Sequence, residues 1–510
     1  MSIKEYEMKL LMGIDLGTSS VKTIIISLEG KVVASATEEY GMLISQKGYA
    51  EQNPTEWWEK TSKSIKNAID MLTIKEYSII GIGLSGQMHS MVMLDEKCEI
   101  IRPSIIWCDQ RMEGRIGQIN DVLSKDDFSD ILLNPIASGF QIASLLWVIE
   151  NEYDNYKKTR HIISPKDFIR YKLTGQIGSE PSDAASTLLF DIKQCKWANS
   201  IMKKFKIDID LFPKIGNSFS IAGYTSDVAK KDCNLPYGIP VVYGGGDQPV
   251  QAIGNGIISE GLMSSTVGTG GQLFSVVDTP KYDLLYRTHT FNHVIENKWY
   301  IMGASLASGL SIRWLRDNIL GRVNYDEMNK VAAKHIPGSG GLLFLPYLIG
   351  ERTPHMDPGA RGMFCGLTVD HDWSNMVAAV FEGIVFALRG SFDIIKELGV
   401  NTKKVIASGG GAKSALILQI QANVFKTEIY KSNIEEQAAF GAAILGGVGA
   451  GSYSSIEQAC MQLVRYSKTV VEPQKEAMKY YDDLYEIYKS LYTNNKDTFR
   501  RLNKLCFPKK

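Results

Sequence analysis

The feature that most constrains this chain is a unit that occurs twice. Leu10 to Gly30 reads "LLMGIDLGTSSVKTIIISLEG": a β-rich run, a break at Gly17-Thr18-Ser19, and a second β-rich run. Gly261 to Val277 reads "GLMSSTVGTGGQLFSVV" and repeats the pattern, with Gly268-Thr269-Gly270 at the break. The same strand–turn–strand unit at the head of each half points to a duplicated architecture. At 510 residues the chain is also too long for one hydrophobic core, which stops growing at roughly 250–300 residues. Two domains are therefore expected, 1–256 and 257–510, with the boundary near Gly254 to Gly261. No low-complexity linker separates them, so they are expected to pack against one another around a cleft.

Strands and helices alternate along both halves, the signature of an α/β fold. The first ~40 residues read as three strands, with Glu29-Gly30 as a hairpin turn. Asn53-Pro54 reads as N-cap and first position of a helix carrying Trp58, Ile65, Ile69 and Leu72 near helical spacing. "YSIIGIGL" and "IPVVYGGGD" (Ile239 to Asp247) read as further strands. In the second half, "KVIASGGG" reads as a strand among the helices "NMVAAVFEGIVFALRGSFDIIKEL" and "EEQAAFGAAILGG". A tail helix aligns Tyr481, Leu484, Tyr485, Tyr488 and Leu491 on one face, suited to packing or to pairing with a second copy as a homodimer.

Lys+Arg and Asp+Glu both number 56, a balance that argues against nucleic acid or an anionic membrane as the main partner. Seven scattered cysteines without a C-x-x-C pair favour a reducing compartment over a disulfide framework or a zinc site. The acid-interrupted start "MSIKEYEMKLLMGID" lacks a signal-peptide apolar region, and no run nears the roughly 20 apolar residues of a membrane span. A cytoplasmic protein is expected.

"GIGLSG", Gly81 to Gly86, fits the dinucleotide fingerprint but leads into "QMHSMVMLDEKCEII", which reads as strand where that motif needs a helix. The two Gly/Thr turns carry more. Small residues let backbone N–H groups approach phosphate oxygens, and hydroxyls add donors. Asp15, just before the first turn, suits a water on Mg²⁺, which takes few protein carboxylates, and Lys22 suits phosphate charge. Either turn alone also fits an ordinary hairpin. A third strip, "SGGGAKS" (Ser408 to Ser414), lies between a strand and a helix, where bare backbone can meet a nucleotide. Asp247, after three glycines, is suited either to accept a proton from a bound hydroxyl or to cap a helix that Pro249 starts. Gln87, Met88 and His89 in "SGQMHS" suit either a polyhydroxylated ligand or ordinary polar packing. "LIGERTPHMDP", with Arg352 and His355, reads as a charged surface loop.

Together these motifs resemble the FGGY family of carbohydrate kinases over roughly Met12 to Gly451. "GIDLGTSSVK", "GQMHS", "IIWCDQR", "PKDFIRYKLTG", "SDAASTLLFDI", "GGGDQ", "TVGTGG", "FLPYLIGERTPH" and "SGGGAKS" fall in the family's order, and Gly362 to Glu382 fits its C-terminal signature. The resemblance implies two duplicated actin/hexokinase-like (ribonuclease H-like) domains around a central cleft, with ATP and Mg²⁺ as cofactors. It makes Asp247 the catalytic base, and Gln87, Met88, His89 and Gln248 substrate contacts. Asp15 would lie near Mg²⁺. Gly17, Thr18, Ser19, Lys22, Gly268, Thr269, Gly270, Gly409, Gly410, Gly411 and Ala412 would serve ATP. The implied activity is phosphorylation of a primary hydroxyl of a small sugar, D-xylulose first, with another ketose, a polyol or a sugar acid as the alternative. Three departures bear on that choice: Cys108 and Gln248 where asparagine is common, and Ser144 in a lysine position. A non-kinase actin-fold ATPase is the rival class, and it would need no sugar-facing base.

Overall fold

The Gly17-Thr18-Ser19 break reverses the chain between strands whose alternating faces are both buried. In the computed structural model, which describes residues 7–506, β1 (Met8–Leu16) pairs antiparallel with β2 (Ser20–Ser27) and sets Asp15 opposite Lys22. Antiparallel β3 (Val32–Glu39) follows on β2. Helix α1 (Pro54–Asp70) starts where expected, its N-cap Asn53 accepting from the Thr55 N–H. It lies on β2 and β3 through Trp57, Trp58, Ile65 and Ala68, whereas Ile69 and Leu72 are only partly buried. β4 (Tyr77–Gly86) runs parallel to β1, and β5 (Ile221–Tyr224) and β6 (Pro240–Val242) complete the order β5-β6-β4-β1-β2-β3.

The second sheet comprises β7 (Leu262–Val267), β8 (Gly271–Val277), β9 (His289–Asn292), β10 (Trp299–Ser305), β11 (Lys404–Ser408), β12 (Ile429–Ser432) and β13 (Tyr466–Val471). Its order is β9-β10-β8-β7-β11-β12-β13. In both sheets the strand before the glycine turn pairs antiparallel with the strand after it. On its other edge it pairs parallel with a later strand. The result is two similar α/β domains around a cleft.

The "GIGLSG" glycines lie wholly within β4, and their lack of side chains serves packing. A Cβ on Gly83 would sit 1.8 Å from the Ala442 carbonyl oxygen, and one on Gly13 beside it 1.9 Å from that of Ala439. Helix α5 (Gln437–Gly449), from the second half of the chain, therefore rests directly on the first sheet. The residues after β4 differ from expectation, forming a loop over 87–91 before a short strand at Val92–Leu94.

In the tail helix α6 (Lys475–Cys506), Tyr481, Tyr485 and Tyr488 pack with their rings 5.2–5.8 Å from Phe386 of α4 (Trp373–Glu397). The aromatic stripe is thus used within the chain. Among the described residues no helix is long and apolar enough to cross a membrane. All seven cysteines are free thiols.

Candidate active site

Three strands carry the centre of the site at one level. Asp15 pairs with Ser85 and Ser85 with Gly245, and the Ser85 hydroxyl donates to Asp15 Oδ1 at 2.8 Å. Two residues past Gly245 the chain enters helix α3 (Asp247–Gly254), whose N-cap is Gly246. Asp247 is therefore the first helical residue, not the cap, and Pro249 lies inside the first turn instead of starting it. Burial, then the nearby Asp15 charge, push the Asp247 carboxyl up to about 7, against a pull from the Gln248 amide. Asp15 is raised too, by burial first; the Ser85 bond and Lys22 oppose this, and Glu436 reinforces it. A carboxylate poised near neutrality in a cleft is suited to take a proton from a hydroxyl.

Sequence reasoning did not single out the cluster that fixes the loop before Asp247. Lys166, Asp167, Arg170, Glu180 and Asp183 are all fully buried. Lys166 Nζ lies 2.8 Å from Asp167 Oδ1 and 3.2 Å from Asp183 Oδ2, and donates to the Tyr243 carbonyl at 3.1 Å. The Ser182 hydroxyl donates to Glu180 at 2.8 Å and accepts from the Gly246 N–H at 3.0 Å. The loop is held at both ends. Charged residues spaced through "PKDFIRYKLTG" and "SDAAS" were the available signal, but only the fold brings them together.

Of the expected acceptor contacts, Gln87 is buried and braced: its Nε2 donates to Gln52 Oε1 at 2.9 Å. Gln52 in turn donates to the Thr18 carbonyl at 2.7 Å, which ties this loop to the first hairpin. Met88 packs its sulfur under Gly246, and the Tyr300 hydroxyl lies 3.8 Å from it. His89 has φ 67°, a left-handed conformation uncommon away from glycine, and its Nδ1 lies 2.9 Å from the Ser186 carbonyl. That carbonyl can only accept, so Nδ1 carries the proton. Burial lowers the ring's pKa to about 4, leaving a neutral imidazole with an Nε2 lone pair.

Among the residues expected to serve ATP, Gly17 donates to the Ser20 carbonyl at 3.0 Å, and the Tyr40 hydroxyl donates to the Gly17 carbonyl. Trp107 Nε1 donates to Thr18 Oγ1 at 2.8 Å, while Ser19 is exposed at the tip. Lys22 is ion-paired with Glu436 at 2.5 Å, so its charge is already engaged. In the second hairpin the Gly268 N–H donates to the Gly270 carbonyl at 2.9 Å, and Thr269 is exposed. A Cβ on Gly270 would lie 2.6 Å from the Ser305 carbonyl. Thr266, next to last in β7, shares a 2.9 Å hydrogen bond with Ser408, which leads into the glycine strip. There Gly409 (φ +75°) and Gly410 are exposed, with Gly411 and Ala412 buried beneath them. Gly410–Lys413 forms a 3-10 turn, and the next helix is capped by the Ser414 hydroxyl accepting from Ile417 at 3.2 Å. The exposed backbone here thus belongs to the strip itself and not to a helix N-terminus.

The departures fall at distinct positions. Gln248 accepts from Gln272 Nε2 of β8 at 2.7 Å, linking the two domains beside Asp247. Ser144 is buried in helix α2 (Gln141–Asn151), and Cys108 is half-buried next to Trp107. Arg352 is half-buried and Glu351 buried, so this loop is not the surface feature its sequence suggests. Among the described residues no group of three or more His, Cys, Asp or Glu could hold a metal ion. A divalent cation is compatible with that: the Asp15 and Asp247 charges act on one another, and Mg²⁺ needs only one or two carboxylates when phosphates supply the rest.

A glycine hairpin from each domain, an exposed glycine strip and a raised carboxylate thus lie on two similar α/β domains around a cleft. The chain belongs to the FGGY family of carbohydrate kinases, matching the family's N-terminal domain over 10–254 and its C-terminal domain over 263–450. It is closely related to xylulose kinases. The xylulose kinase of Bacillus subtilis (strain 168) is 35% identical over 491 residues, covering 96% of this chain and 98% of that protein. A ligand-bound xylulose kinase from Lactobacillus acidophilus superposes with a TM-score of 0.90 at 26% identity, covering 97% of this chain and 99% of that one. A gluconate kinase from Lactobacillus acidophilus superposes equally well, with a TM-score of 0.90 at 25% identity over 97% of this chain and 100% of that one.

Proposed function

We propose that the protein transfers the γ-phosphoryl group of ATP to a primary hydroxyl of a ketose, O5 of D-xylulose. The observation that carries this reading is the Asp247 carboxyl, raised to about 7 at the mouth of a helix that touches the second hairpin's strands. The acceptor lies with its hydroxyl on Asp247 and its polar body toward His89. As the hydroxyl oxygen attacks phosphorus and the bond to ADP breaks, Asp247 takes the hydroxyl proton. Backbone N–H groups of the two hairpins receive the charge that spreads over the phosphoryl oxygens, and positioning supplies most of the acceleration. Mg²⁺, when bound to the phosphates, neutralises part of their charge; Asp15 would hold it through water. Kinship with xylulose kinases favours the ketose. A sugar acid or polyol is the second reading, favoured by Gln248 beside the base. The free thiols suit the cytoplasm.

An ATP-coupled assay across D-xylulose, D-ribulose, glycerol, xylitol and D-gluconate tests the substrate. D-xylulose is expected to give the highest kcat/KM. A larger value for a polyol or aldonate overturns that choice, and no phosphorylation of any acceptor overturns the kinase reading.

A further inference from the structure

Beside the second sheet stands a cation, Arg352, that forms no ion pair among the described residues and feels the charge of its neighbour Glu351. Buried Glu351 accepts from the Ser305 hydroxyl and the Leu306 N–H, both at 2.9 Å, and from the Arg352 N–H at 2.8 Å. On the other side, the Thr353 N–H donates to the Ala304 carbonyl at 3.0 Å and its hydroxyl to the Arg287 carbonyl at 2.6 Å. Arg352 is thus pinned beside β10, where Ala304 lies opposite Gln272, the residue that donates to Gln248. Among the described residues its guanidinium makes no ion pair, and burial lowers its pKa.

Two imidazoles lie near enough to feel the Arg352 charge. His89 lies edge-on to Phe140 at 4.5 Å, Phe140 is 5.7 Å from His289, and His289 stacks on Phe291 at 6.0 Å. His289 Nδ1 is 3.2 Å from Asn134 Oδ1, an oxygen that also accepts from the Thr290 N–H at 2.9 Å. Both histidines therefore carry their proton on Nδ1 and keep an Nε2 lone pair. Burial and the nearby Arg352 charge keep both neutral. The charge that acts on Asp247 is instead that of Asp15. Asp247 opens α3 beside the first sheet, whereas the segment carrying Arg352 is held against β10 of the second sheet.

We propose that Arg352 is a specificity-determining residue that receives an sp² oxygen, a ketose carbonyl or a sugar-acid carboxylate, at the end of the acceptor remote from Asp247. This deepens the kinase reading and rests on it. A guanidinium only donates, through a planar fork that matches carbonyl and carboxylate lone pairs. A neutral imidazole Nε2 only accepts, so it pairs with the neighbouring hydroxyl. Together they complement the hydroxymethyl-ketone end of a ketose or the hydroxy acid end of an aldonate. A polyol offers neither.

The test compares wild type with Arg352→Met, which keeps an unbranched apolar stem without the guanidinium, and with Arg352→Lys, which keeps the charge without the planar fork. Dissociation constants for D-xylulose, D-gluconate and xylitol are read by calorimetry, with kcat/KM for whichever is phosphorylated. Arg352→Met should weaken the carbonyl-bearing acceptor by about 30-fold or more, in line with loss of a charged hydrogen bond in a desolvated site. Xylitol and ATP should change by less than about threefold, with Arg352→Lys intermediate on the carbonyl acceptor. Which of D-xylulose and D-gluconate is lost identifies the oxygen. An equal loss on all three acceptors, or no loss on any, overturns the proposal alone while the kinase reading stands. A wild type that phosphorylates none of them overturns both.

Discussion

Asp247 meets two opposing demands. As the proposed base it has to be ionised, yet the folded state holds its pKa at about 7, far above the ~3.9 of a free aspartate. Rate and stability should therefore run in opposite directions with pH. The deprotonated form is the active one, so kcat/KM should rise about tenfold per pH unit up to about 7 and level above it. Because the folded pKa is raised, wild type loses stability as pH climbs from about 4 to about 7. Asp247→Asn should lower kcat by roughly 10²–10⁴-fold. It should also be more stable than wild type at pH 8 by on the order of 2 kcal/mol, a value reduced because the carboxyl still meets water in the cleft. Urea unfolding at pH 5 and pH 8 checks this, and the same stability difference at both pH values would sink it. Asp15→Ala removes the charge that helps raise Asp247, so the rising limb should move to lower pH, with Mg²⁺ dependence altered as well. The residue types here were legible in the sequence. Their pKa values were not, because burial and the Asp15–Asp247 approach arise only when β1 and α3 meet.

At the level of elements, "GIGLSG" looks like a nucleotide motif and is a packing surface. Gly83 has the Ala442 carbonyl 1.8 Å from where a Cβ would sit, and backbone cannot rotate away as a side chain can. Gly83→Ala should push α5 off the sheet and cost on the order of 3 kcal/mol or more. Gly114→Ala, whose Cβ would meet nothing within 4 Å, is the control and should cost less than about 0.5 kcal/mol. Similar melting temperatures for the two variants would show that α5 yields easily. The strand–turn–strand units, α1 with its Asn53 cap and the tail stripe all came from local periodicity. The loop over 87–91, the 3-10 turn at Gly410–Lys413 and the burial of Glu351 did not, since each depends on neighbours distant in sequence.

For the whole molecule, the two halves are joined at the active site. α5 covers the first sheet, and Gln272 reaches Gln248 across the cleft. If the acceptor meets one wall and the nucleotide both, as proposed, closure should depend on the two ligands together. A non-hydrolysable ATP analogue plus acceptor should reduce the radius of gyration in X-ray scattering more than either ligand alone. Asp247→Asn should close as wild type does, because its amide keeps the shape of the site. An unchanged radius with both ligands would mean that the cleft is already in its working geometry.

The sequence by itself determined the duplicated α/β plan, the two hairpins and the glycine strip, because these are written in contiguous residues whose spacing and lack of side chains leave few backbone options. It also carried Asp15, Asp247 and His89 as chemically apt residues without saying what each would face. Tertiary structure decided the rest. It gave Lys22 to Glu436, buried five ionisable side chains behind the Asp247 loop, and held the Arg352 segment against the second sheet instead of leaving it an open loop. Those outcomes depend on which charges meet across strands and domains, and long-range pairing of that kind leaves no trace in the local pattern of a single chain.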